Sequence, residues 1–142
     1  IALALPLDAQ SGDLPLQPIP ERAHDLEYAL PTLPQQAALD RLLGDINPLH
    51  IDPEQARAVG FPGPILHGLC TYAIACRAII RTCCDDDPAR IERFDLRFSS
   101  PVYPGETLVT RIWRDADQLS FECTVAERGA TVVRNGYCKL RV

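Results

Sequence analysis

The sequence has 142 residues, 46% of them hydrophobic and 23% charged, which is typical of one globular domain with an adequate core. Its net charge of −5 argues against a nucleic-acid partner, and its longest strongly apolar run, residues 69–76, is too short for a membrane span. The six cysteines include no Cys-x-x-Cys pair, so we expect neither a zinc site nor disulfides, and a reducing compartment.

The N-terminal elements are punctuated by proline and glycine. Residues 1–23 hold four prolines and little periodicity, which predicts a lead-in or linker, followed by one domain over residues 24–142. Residues 24–30 are compatible with a first strand, closed by Pro31. Pro34 then opens a short helix that runs through Leu43 and ends at Gly44. The apolar residues of that helix fall on one side; they are Ala38, Leu39, Leu42 and Leu43.

A second short helix and a long one follow. Asp52 is a capping residue before Pro53 and Glu54, so a helix is predicted to about Val59. A long helix is then predicted over residues 65–84. Residues 69–76 of this helix are apolar or uncharged all round, which predicts burial on most sides.

The hydrophobic period changes to two after residue 90. Phe94, Leu96 and Phe98 share one face of a strand, and three further strands follow between turns at residues 104–105, 115–117 and 129. Four strands in a meander after one long helix predict an α+β fold, in which a mostly antiparallel sheet wraps around that helix.

The most informative segment is residues 44–50, which read GDINPLH. Asp45 and His50 are an acid and an imidazole on one irregular loop, and such a pair can hold and activate a water molecule. Gly44, Asp45, Asn47 and Pro48 are also favoured turn residues, so a capping turn explains the same segment equally well.

A second candidate group lies at the start of the long helix. His67 follows His50 by seventeen residues, and Gly68 comes next. The Gly68 amide at a helix N-terminus is suited to a thioester oxygen that becomes an enolate. Alternatively, Gly68 only allows close packing, and His67 is a capping or core residue. We favour His50 over His67 as a catalytic residue and expect His24 at the surface.

Two further motifs are given structural interpretations. Residues 101–106 (PVYPGE) are read as a turn between strands. Cys83 and Cys84 have no base near them in the sequence, so we interpret them as ordinary helix-end cysteines and not as nucleophiles.

Together these segments resemble a known signature. Residues 44–53 (GDINPLHIDP) followed by residues 64–69 (PILHGL) resemble the signature of R-specific enoyl-CoA hydratases, which belong to the MaoC-like dehydratase group of the hot-dog fold. Residues 100–108 (SPVYPGETL) are similar to the later strand-turn-strand segment of that family. The resemblance covers about residues 20–142. Leu43 departs from it, because many relatives have a small residue there.

The resemblance implies a reaction and a set of site residues. Asp45 and His50 would be the catalytic pair, Asn47 would steady the water or the loop, and the Gly68 amide would bind the thioester oxygen. The reaction would be the reversible hydration of a trans-2-enoyl-CoA to a (3R)-3-hydroxyacyl-CoA, without a metal or a redox cofactor. Two alternatives stay open: a silent or partner-dependent subunit that binds acyl thioesters, and a hot-dog thioesterase.

The resemblance also bears on assembly and location. A single hot-dog sheet leaves an edge strand and an incomplete acyl tunnel, so we expect a homodimer or pairing with a second hot-dog unit. The lead-in resembles the segment that joins two such units in larger members of the family. The expected compartment is the cytoplasm, or the peroxisome in a eukaryote.

Overall fold

The second half of the chain supplies four of the five strands of one antiparallel sheet, in a computed structural model that describes residues 17–141. The strands are β1 (Leu26–Pro31), β2 (Ile91–Phe98), β3 (Thr107–Asp115), β4 (Gln118–Val125) and β5 (Thr131–Leu140). Their order in the sheet is β1-β3-β4-β5-β2. The predicted strands are present, but the expected four-strand meander is wrong, because β2 pairs with β5 and not with β3.

The helices fall between β1 and β2. They are α1 (Gln36–Asp40), which continues as a 3₁₀ turn over Arg41–Leu43, α2 (Pro53–Ala58), and the long α3 (Gly68–Cys83). Asp52 caps α2 as expected, since its carboxylate accepts from the Glu54 amide at 2.8 Å. Helix α3 begins three residues later than predicted, because the Leu66 N–H donates to the Val102 carbonyl at 2.7 Å instead of entering the helix.

The core lies between α3 and the sheet. The buried residues of α3 are Thr71, Ala75, Ala78, Ile79 and Cys83. They pack against a sheet face whose largest fully buried side chains include Phe121, Leu108, Ile112 and Leu119. These contacts confirm a sheet wrapped around a central helix, an α+β architecture of the hot-dog type.

One expectation about burial is wrong. Residues 69–76 are not buried all round: Leu69 is 80% exposed and Ala73 is exposed, because the sheet covers only one face of α3. In the first helix, Leu42 and Leu43 are 81% and 87% exposed, and the buried residue is Ala37. Both regions border the groove described below.

Three remaining features complete the fold. Most of the predicted lead-in, residues 1–16, lies outside the described residues, and residues 17–23 form neither helix nor strand. Within residues 17–141, no helix is long and apolar enough to cross a bilayer. All six cysteines are free thiols.

Candidate active site

The loop between α1 and α2 has the backbone of a capped turn. Gly44 ends the preceding 3₁₀ turn with a φ of 111°, a value that favours glycine. One carboxylate oxygen of Asp45, Oδ1, accepts from the Asn47 amide at 3.1 Å, and the side chain of Asn47 accepts from the Leu49 amide at 3.0 Å. The turn chemistry that the sequence offered is therefore present, and Asn47 steadies the loop.

The second oxygen of Asp45 faces an imidazole. Oδ2 lies 3.9 Å from Nε2 of His50, and the Asp45 side chain is 59% exposed. The other ring nitrogen of His50, Nδ1, lies 2.8 Å from the Ile65 carbonyl, to which it donates. A neutral His50 therefore presents an unprotonated Nε2 to the space beside Asp45. The turn and the acid–imidazole pair coexist, because each uses a different oxygen of one carboxylate.

His67 contacts both residues of this pair. Its ring stacks on that of His50 with centroids 3.7 Å apart and an angle of 26° between the planes. Its Nε2 lies 3.2 Å from the backbone carbonyl of Asp45. His67 occupies the capping position of α3, yet its side chain makes no capping hydrogen bond. The buried His67 side chain thus contacts both members of the pair.

Gly68 provides the first amide of α3. The N–H groups of Cys70 and Thr71 already reach the His67 carbonyl, whereas the Gly68 N–H has no backbone partner within the described part of the chain. The aligned peptide dipoles of a helix place partial positive charge at this end. A β-carbon at position 68 would lie 3.4 Å from the Phe98 ring, so glycine keeps the approach to the amide open.

An apolar groove of about 750 Å³ leads away from these groups along α3. Asp45, His67 and Gly68 line one part of it, and Arg77 lines it further along the helix. The apolar lining consists mainly of Leu30, Leu33, Leu43, Leu69, Ile74 and Phe98. Polar groups that converge at an otherwise apolar groove are typical of a small-molecule site.

Sequence analysis missed several contributors to the site. Phe98 was predicted to share a strand face with Phe94 and Leu96, but a register shift between Asp95 and Arg97 interrupts the alternation, and Phe98 is 50% exposed beside Gly68. The carbonyl that orients His50 belongs to Ile65, and no side-chain pattern signals a backbone carbonyl. Asp40, which also lines the groove, carried no motif.

The acidic and imidazole side chains of the site could also hold a metal ion. Asp45, His50 and His67 bring ligand atoms within 4.8 Å of one another. Each imidazole already directs one nitrogen to a backbone carbonyl, so only one nitrogen of each ring is left for an ion. The donor set as it stands fits proton transfer better than coordination.

Comparisons with known proteins indicate the family of this chain. A family model described as "MaoC like domain" matches residues 15–135. The chain is 50% identical over 117 residues to enoyl-CoA hydratase ChsH3 of Mycobacterium tuberculosis, covering 82% of this chain and 41% of that protein. It is 48% identical over 110 residues to the peroxisomal enoyl-CoA hydratase 2 of Arabidopsis thaliana, covering 78% of this chain and 35% of that one.

Among solved structures, full-length peroxisomal multifunctional enzyme type 2 from Drosophila melanogaster superposes with a TM-score of 0.89 at 43% identity, covering 94% of this chain and 25% of the other. The molecule is thus a hot-dog protein with an acid–imidazole pair beside a helix-start amide. It belongs to the family of MaoC-like domains. The chain spans between a quarter and about two-fifths of the length of these relatives.

Proposed function

We propose that this chain catalyses the reversible hydration of trans-2-enoyl-CoA to (3R)-3-hydroxyacyl-CoA. The observation that carries the proposal is the placement of Asp45 and Gly68 on one apolar groove, with His50 Nε2 3.9 Å from the Asp45 carboxylate. The relatives named as enoyl-CoA hydratases support the reaction class.

The first requirement of the reaction is a polarised carbonyl. Carbon 3 of an enoyl thioester is electrophilic only when negative charge can develop on the thioester oxygen. The Gly68 N–H and the N-terminal end of α3 would receive that charge without rearrangement, an effect worth about 3 kcal/mol. The open approach beside Phe98 leaves room for the oxygen.

The second requirement is a held water molecule. Asp45 Oδ2 and His50 Nε2 would hold the water between them, since the remaining polar atoms of both side chains are already bound to the backbone. The water oxygen bonds to carbon 3, one proton leaves the water for this pair, and one proton passes from the pair to carbon 2. Protons therefore balance over the cycle, and no metal or redox cofactor takes part.

The groove supplies the third requirement, a place for the acyl chain. Leu33, Leu69 and Ile74 line it with apolar surface along α3, which suits a hydrocarbon chain that extends from the thioester. Asp45 and Gly68 would then lie at the reacting end of the acyl chain.

We also propose that this unit pairs with a second hot-dog unit, either its own copy or a related one. Within residues 17–141, edge strands β1 and β2 each have one side that pairs with no other strand, and Leu42, Leu43 and Ile46 expose apolar surface near the site. Sedimentation of an active single unit at working concentration would refute this. The proposed compartment is the cytoplasm, or the peroxisome in a eukaryote.

The experiment that tests the function measures two products at once. Purified protein is given a panel of trans-2-enoyl-CoA thioesters, and loss of the enone absorbance is followed together with release of free thiol. We expect loss of absorbance without thiol, and chiral analysis should identify the 3R product. Thiol release would establish the thioesterase alternative. Binding without either change would establish a silent acyl-thioester subunit.

A further inference from the structure

Two buried acceptor atoms face each other beside the proposed catalytic pair. Oδ2 of Asp40 and Nδ1 of His67 lie 4.0 Å apart, with the side chains 15% and 5% exposed. Within residues 17–141, these are the only buried side-chain nitrogen or oxygen atoms without a hydrogen-bond partner. An unsatisfied buried polar atom destabilises the folded state, so this arrangement requires a physical reason.

The hydrogen bonds around the two atoms define what is missing. His67 Nε2 donates to the Asp45 carbonyl, so Nδ1 of a neutral ring is an acceptor. Burial and the neighbouring Asp40 carboxylate raise the pKa of the Cys70 thiol to about 12, so the thiol stays protonated. Oδ2 is left facing a second acceptor. A single proton between Oδ2 and Nδ1 would satisfy both atoms once they close from 4.0 Å to hydrogen-bond distance.

We propose that Asp40 is a positioning residue for the hydration reaction, because one proton shared between Asp40 and His67 holds the His67 ring in place. His67 Nε2 lies 3.2 Å from the Asp45 carbonyl oxygen, and the centroids of the His67 and His50 rings are 3.7 Å apart. Asp40 therefore acts on both Asp45 and His50 through His67, without contacting the water. This inference rests on the proposed function for its effect on turnover, although the shared proton itself does not.

The competing explanation is that Asp40 is only part of the groove wall. Asp40 lines the groove with Leu43 and Leu69, where a leucine would suit an acyl chain at least as well. On that explanation Asp40→Leu should leave kcat unchanged and alter KM, if anything. A positioning role predicts instead that Asp40→Leu lowers kcat and leaves KM nearly unchanged.

The kinetic test therefore compares two substitutions of Asp40 in the purified protein in its native assembly. Asp40→Leu removes the proton and should lower kcat about ten- to a hundredfold, with KM within about twofold, as expected for a misplaced pair. Asp40→Asn should keep kcat within about threefold, since its amide can donate to His67 Nδ1. The matched control is Asp115→Leu on the exposed β3–β4 hairpin.

A second readout does not depend on activity. The chain has only three histidines, so ¹⁵N spectra of the imidazole nitrogens are simple to assign. His67 Nδ1 should show a hydrogen-bonded signal in the parent and in Asp40→Asn, and the signal of a free lone pair in Asp40→Leu. The signals of His24 should not change.

Three results would overturn the inference: unchanged kcat in Asp40→Leu, an Asp40→Asn variant as slow as Asp40→Leu, or a free-lone-pair signal at His67 Nδ1 in the parent. A parent protein that hydrates no enoyl thioester would instead contradict the proposed function. In that case the nitrogen spectra would still decide whether Asp40 and His67 share a proton.

Discussion

The two faces of α3 differ in what they contribute. The face toward the sheet carries Ala75, Ala78 and Ile79, all at most 1% exposed and packed in the core. The opposite face carries Leu69 and Ala73, which are exposed along the groove. One helix therefore anchors the fold on one side and offers apolar surface on the other. Over residues 69–76 the sequence shows no such division, since both faces are uncharged there.

The comparison separates stability from function. Apolar surface that is already buried stabilises the chain, whereas apolar surface left exposed beside polar groups is available to a ligand or a partner unit. Substitutions on the sheet face should therefore affect unfolding, and substitutions at the groove should affect turnover. The following substitutions test that division.

The largest effect on stability is expected from Ile79→Ala. Ile79 is fully buried, so the loss of its side chain leaves a cavity and should lower the free energy of unfolding by about 2–5 kcal/mol. The matched control is Leu69→Ala on the exposed face, which should cost less than about 0.5 kcal/mol. Urea unfolding measures both values, and equal losses in the two variants would contradict the division.

The largest effect on turnover, apart from that of Asp45, is expected from His50→Ala. Removal of Nε2 should lower the hydration rate at least about a hundredfold, because a proton-transfer group is lost. His50 is only 9% exposed, so a loss of about 1–3 kcal/mol in stability is also expected.

The control for His50→Ala is His24→Ala. His24 is exposed, as predicted, and contacts Trp113 and Glu27 away from the groove lining. The His24→Ala variant should retain the parent's hydration rate. Steady-state kinetics well below the unfolding temperature measure both variants. A His50→Ala enzyme with parental turnover would remove His50 from the mechanism.

A smaller effect is expected from Gly68→Ala. The added methyl group would meet the Phe98 ring at 3.4 Å and narrow the approach to the amide, so hydration should fall about tenfold. Stability should not fall, since alanine is the better helix former. If hydration were unchanged while Phe98 kept its position, the Gly68 amide would not be the group that receives the thioester oxygen.

The sequence predicted the helices and strands of this fold better than the strand order or the exposure of apolar side chains. Period-two alternation located the strands, and Asp52 and Gly44 marked helix ends, because these signals are local. The place of β2 beside β5 was not predictable from local signals, since it depends on the path of residues 99–106 across the sheet. Exposure of Leu42, Leu43 and Leu69 was missed because hydrophobicity alone does not say what covers a residue.

For the candidate site, too, local sequence motifs were predictive and contacts between distant segments were not. Asp45, Asn47, His50 and Gly68 were predicted from a contiguous motif and a fixed spacing, and the structure brings Asp45 and Gly68 to one groove. The stacking of His67 on His50, the Ile65 carbonyl and the Asp40 carboxylate were missed. Each depends on three-dimensional proximity between segments that share no sequence pattern.

The measurement that tests the proposed mechanism most directly is the turnover of Asp45→Asn. The substitution keeps an oxygen that can accept from the Asn47 amide, so the turn should be preserved, and asparagine caps nearly as well as aspartate. It replaces the oxygen that faces His50 with a group that cannot carry the proton. We expect hydration to fall at least about a hundredfold while the unfolding curve stays unchanged. Near-parental turnover on every enoyl-CoA that the parent accepts would show that Asp45 only caps a turn, and the hydratase mechanism would have to be abandoned.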